Sequence, residues 1–163
     1  MERRIATGLV AGLIAGIVFT LVALFITTLM PAGDNASMLV VAAEALHSHG
    51  RLAGWVACLV YTVIIGGIFG WLVSAEPMDG PRLTLWGGLY GLAWWIVSNL
   101  VLIPALLAKV PLSSAALDAT KPVALPSLIE HVLYGVILGL VFAGLATYVE
   151  RRHAAHDARH HAA

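Results

Sequence analysis

The chain has 163 residues, 60% of them apolar and only 11% charged, and its nine basic and nine acidic side chains leave no formal net charge. A mean hydropathy of +0.91 sets it apart from soluble domains, whose apolar share is nearer half. Zero net charge argues against a nucleic-acid or other polyanion partner. The single cysteine, Cys58, rules out a disulfide framework and a CxxC metal site.

Four apolar runs follow one another: Ile5 to Met30, Leu52 to Ser74, Leu83 to Leu107 and Ser127 to Val149. Each reaches the ~20 residues needed to cross a ~30 Å hydrocarbon core. The first follows the basic start Met1-Glu2-Arg3-Arg4, but its apolar part is far longer than a secretory signal core, so it reads as a retained helix. The connectors Pro31 to Arg51 and Ala108 to Pro126 are too short for a core of their own and long enough for a short helix at the membrane surface. The expected fold is all-α, a single transmembrane four-helix domain over residues 1–163 with a His-rich tail at 150–163. Arg3, Arg4, Arg82, Arg151, Arg152 and Arg159 would lie on one side and Arg51, Lys109 and Lys121 on the other, which predicts cytoplasmic termini.

An internal repeat organises the runs. Tyr61 to Ser74 aligns without a gap on Tyr134 to Thr147, with six of fourteen positions identical at an offset of 73. The same offset carries Leu29-Met30-Pro31-Ala32 onto Leu102-Ile103-Pro104-Ala105, so two tandem helical hairpins related by an axis along the membrane normal are expected. Each run also has glycines four apart in GxxxG spacing: Gly8, Gly12 and Gly16; Gly66 and Gly70; Gly87 and Gly91; Gly135 and Gly139. In lipid, missing side chains let helix backbones approach and gain dispersion contacts. These faces are expected to hold the bundle together, with a homo-oligomer seam at the Gly8, Gly12 and Gly16 tandem as the alternative. Trp55, Trp71 and Trp86 fall near helix ends, where amphipathic rings anchor, and Trp94 and Trp95 lie deeper.

Polar groups inside the hydrocarbon are costly and therefore candidates for function. Glu130, His131 and Tyr134 enter the fourth run near its start, and Asn99 approaches the end of the third, so all four belong to the extracytoplasmic leaflet. In the connector above them Glu44 and His47 have the Glu-x-x-His spacing by which a helix presents two metal ligands, with His49 beside them. Together with Glu130 and His131 they form a candidate carboxylate and imidazole cluster suited by ligand type to a transition metal, or to haem. The competing reading has them as interfacial residues reaching water, with His131 bonded to Asn99 or to a backbone carbonyl. The tail residues His153, His156 and His160 share one helical stripe and read as a solvated basic end. No phosphate-cradling loop, nucleophile elbow or HExxH motif appears.

Trp86-Gly-Gly-Leu-Tyr-Gly-Leu-Ala-Trp-Trp-Ile96, Leu102-Ile-Pro-Ala105 and Pro126-Ser-Leu-Ile-Glu-His131-Val-Leu-Tyr-Gly-Val-Ile-Leu-Gly139 resemble uncharacterised bacterial four-helix inner-membrane proteins related to the YagU family. The resemblance covers mainly the second half, through the Ser-Leu-x-x-His-x-x-Tyr-Gly-x-x-x-Gly pattern. It implies a multi-pass protein of the bacterial inner membrane. Glu44 and His47 do not match that pattern. The expected function is non-enzymatic: an accessory subunit of a larger membrane complex, or a binding or sensing component. The rivals are a metal- or haem-binding redox protein and an oligomeric small transporter or channel.

Overall fold

The computed structural model describes residues 1–29, 43, 51–75, 79–102, 105 and 113–161. They form four long helices: α1 (Glu2–Leu29), α2 (Arg51–Leu72), α3 (Gly80–Val97) and α4 (Ser114–His161). A π-helical turn, Ser98–Leu102, continues α3. Each helix contains a stretch long and apolar enough to cross a membrane, at Glu2–Val22, Leu52–Leu72, Gly80–Leu102 and Leu125–Val149.

Local chemistry explains the ends. Asp79 caps α3 by accepting a 3.1 Å hydrogen bond from the Arg82 backbone N–H, and Pro81 occupies the first turn, where its missing donor costs nothing. This start lies three residues before the apolar run at Leu83. Arg4 Nη1 donates to the Val73 carbonyl at 2.8 Å, placing a cation on the C-terminus of α2.

The largest departure from the sequence expectation is α4, where the connector up to Pro126 is helical from Ser114 onward and the helix runs for 48 residues. Prolines normally break a helix by removing a donor and crowding the carbonyl four residues back. Pro122 and Pro126 are themselves four apart, so both disturbances fall on one side of α4, and the preceding Ser-Ala-Ala-Leu-Asp-Ala-Thr stretch contains strong helix formers. At 1.5 Å per residue α4 is about 70 Å long, so it projects beyond its apolar stretch at both ends.

The helices pair through their glycines. α1 and α2 are antiparallel, with Gly8 against Gly66 and Gly70, Gly12 against Thr62 and Gly66, and Gly16 against the Thr62 side chain. α3 and α4 are also antiparallel, with Gly87 against Gly135 and Gly139, and Gly91 against His131 and Gly135. A methyl group on Gly66 would lie 2.6 Å from Gly12 Cα, so these seams admit no side chain. The Gly8, Gly12 and Gly16 face, the candidate oligomer seam, is therefore covered by α2 of the same chain.

The two pairs share a contact register. Gly8, Gly12 and Gly16 stand to Gly66 and Thr62 as Leu83, Gly87 and Gly91 stand to Gly139 and Gly135. If positions in α2 and α4 are taken 73 apart, as the sequences align, the matching positions in α1 and α3 are 75 apart, so one shift of 73 does not relate both helices of the two pairs. Of the second match, Met30, Pro31, Ala32, Ile103 and Pro104 lie outside the described residues.

Between the pairs, Phe19, Ile65, Phe69, Tyr134, Leu138 and Phe142 form a dry core, each at most 5% exposed. Phe69 and Phe142, partners under the offset of 73, meet edge to face with centroids 5.6 Å apart. Tyr134 Oη donates to the Thr62 carbonyl at 2.8 Å and Tyr90 Oη to the Ile65 carbonyl at 2.5 Å, tying α4 and α3 to α2. Tyr134→Phe removes one buried interhelical bond, so a loss of about 1 kcal/mol is expected from unfolding in detergent by added denaturant. The outer faces are the reverse of a soluble protein's. Leu9, Leu13, Ile17, Leu21, Val60 and Ile64 are all exposed, and so are Leu85, Leu89, Ile96, Ile129 and Leu140.

Candidate functional site

At the end of the bundle where the π turn finishes α3 and the apolar part of α4 begins, buried polar side chains join the helices. A π turn inserts one residue into the helical ladder. Here it lets two consecutive side chains, Ser98 and Asn99, both face inward at 2% and 1% exposure. Ser98 Oγ pairs with Tyr61 Oη of α2 at 2.6 Å. Asn99 Nδ2 donates to the Trp95 carbonyl and to Ser127 Oγ of α4, both at 3.1 Å.

Ser127 lies four residues before His131 and so shares its helical face. The ring nitrogen His131 Nδ1 is 2.8 Å from the Ser127 carbonyl and 3.4 Å from Ser127 Oγ. A chain of contacts thus runs from Asn99 through Ser127 to His131. His131 is 3% exposed, with Phe19 of α1 edge-on to its ring at a centroid distance of 5.7 Å. Tyr134, one turn further, packs edge-on to Phe19 at 5.9 Å. Glu130 is 7% exposed, and Cys58 of α2 is 4% exposed.

Two buried side-chain nitrogens among the described residues have no hydrogen-bond partner, Trp95 Nε1 and His131 Nε2. Such orphans are uncommon in folded proteins, because an unmet buried donor or acceptor carries its full desolvation cost.

Asn99, Glu130, His131 and Tyr134, singled out from the sequence, are thus all buried at the same end. Asn99 reaches His131 through Ser127, while Tyr134 bonds to α2. Glu44, His47 and His49 lie outside the described residues. Among the described residues no group of three His, Cys, Asp or Glu side chains is placed to hold a metal ion. Neighbours on a helix point in different directions, so Glu130 and His131 do not converge on one point. Ser127, Ser98 and Tyr61 were not foreseen as members of the cluster. The signal for Ser127 was its i, i+4 spacing to His131; nothing in the sequence foretold a π turn at Ser98.

No protein-family model, no curated protein and no solved structure matches this chain. The reading of its function rests on its own residues.

Proposed function

We propose that this chain is a small, non-enzymatic, multi-pass protein of the bacterial inner membrane that binds or senses a ligand at the Asn99, Ser127 and His131 cluster. Four helices with apolar outer faces support insertion in lipid. The distribution of Arg and Lys supports cytoplasmic termini and, with them, a cluster in the extracytoplasmic leaflet. The two antiparallel pairs, with their shared contact register, are consistent with a tandem duplication that later shifted by two residues between α1 and α3.

One observation carries the binding reading: an unpartnered His131 Nε2 inside an otherwise saturated polar cluster. Among the described residues the core between the pairs is filled by Phe19, Ile65, Phe69, Leu138 and Phe142, which weighs against a channel within one chain. An accessory role within a larger complex remains the companion of this reading, since binding and assembly are compatible.

The metal or haem rival makes a distinct forecast. Tag-free protein purified in detergent should be colourless and free of stoichiometric metal on the binding reading. A Soret band or near-equimolar metal, lost in His131→Ala, would replace it with the redox reading.

A further inference from the structure

We infer that the lone pair on His131 Nε2 is the recognition atom of this site, and that its ligand offers a neutral hydrogen-bond donor, the hydroxyl of a membrane amphiphile. This rests on the binding reading above and names the chemistry it requires.

The tautomer follows from geometry. A carbonyl oxygen only accepts, so the 2.8 Å contact between His131 Nδ1 and the Ser127 carbonyl places the proton on Nδ1. Nε2 of the neutral ring then carries a lone pair, held in a fixed direction by that bond and by the near-perpendicular packing of the ring with Phe19. It has no donor, and the side chain is 97% buried by its 3% exposure. An unmet buried acceptor carries its full desolvation cost, which a donor brought by a ligand would recover.

Charge selects among donors. A divalent metal or an ammonium at Nε2 would need a facing anion, because a lone charge is costly to bury in apolar surroundings. Glu130, the neighbouring residue of α4, projects roughly 100° round the helix from His131. A hydroxyl satisfies the lone pair without burying charge. The surroundings select an amphiphile. His131 stands six residues inside the Leu125–Val149 stretch, about 9 Å along the helix. Phe19 packs against the His131 ring, and Tyr134, one turn further along α4, packs against Phe19 in turn.

The test uses full-length protein in detergent with 15N-labelled His and Asn. Its probes are 4-octylphenol and its methyl ether, 4-octylanisole, which lacks the donor. His131 is expected to show a protonated Nδ1 and an unprotonated Nε2, with Nε2 shifting saturably on addition of octylphenol and not of octylanisole. His131→Gln, whose amide oxygen can take the place of Nε2, should keep binding. His131→Asn, which retains a donor near Nδ1 and lacks Nε2, should weaken it about tenfold, the loss expected for one buried hydrogen bond. A proton on Nε2, an equal response to both probes, or unchanged affinity in a folded His131→Asn variant would overturn the inference. A saturable shift of the Asn99 side-chain amide with Nε2 unmoved would overturn it while leaving binding at the cluster intact. No saturable response at either residue would remove both.

Discussion

Gly135→Leu should be among the most damaging single substitutions in this chain, lowering stability by about 3 kcal/mol or more, the upper range for overpacking a close contact. Gly135 lies against the Gly87 backbone, and a β-carbon there would come within 2.9 Å of both the Gly87 carbonyl carbon and the Gly91 nitrogen. Backbone cannot step aside as the end of a flexible side chain can, so the helices must separate along the whole seam. Separation also withdraws the α4 residue Ser127 from Asn99 of the π turn, so the polar cluster should loosen together with the pair. Gly144 is the matched control: it lies on the same helix, nothing stands within 4 Å of its β position, and Gly144→Leu should leave the unfolding midpoint unchanged. Thermal unfolding in one detergent, followed by circular dichroism, compares the two directly.

Gly12→Leu should act as strongly on the other pair, and its readout separates two roles for the GxxxG tandem. A β-carbon on Gly12 would meet the Thr62 carbonyl at 2.5 Å and Gly66 Cα at 2.9 Å, both in α2 of the same chain. The expected result is a lower unfolding midpoint with no change in the size of the detergent-solubilised particle. Light scattering that showed an oligomer falling to monomers, with the midpoint retained, would instead make this face a seam between chains.

The sequence revealed much of this architecture because lipid-spanning helices are written in unbroken apolar runs, and their close approaches in glycines four apart. Gly66 and Gly135 were legible for that reason. The ends were less so. The continuous α4 was hidden by Pro122 and Pro126, whose usual effect is to end a helix; only their spacing on one side, with good helix formers ahead, lets it continue. The π turn at Ser98 was hidden because a one-residue insertion into the ladder leaves no compositional mark.

The candidate site was legible in part. Asn99, Glu130 and His131 stood out because polar groups are rare in such runs. The sequence did not show that Ser127 would join Asn99 to His131, since that depends on where α3 and α4 cross. Glu44 and His47 stood out by spacing alone, which sets two side chains on a face without saying what that face meets.

The central claim, a bundle that crosses the membrane with its polar cluster toward the outside, is tested most directly by labelling single cysteines in intact bacterial cells. In a Cys58→Ala background, Ser113→Cys sits just before α4, and Ser74→Cys lies in the turn after α2 at the opposite end. A membrane-impermeant maleimide should label Ser113→Cys in intact cells and Ser74→Cys only after lysis. Labelling of both positions in intact cells, or the reverse pattern, would contradict the account.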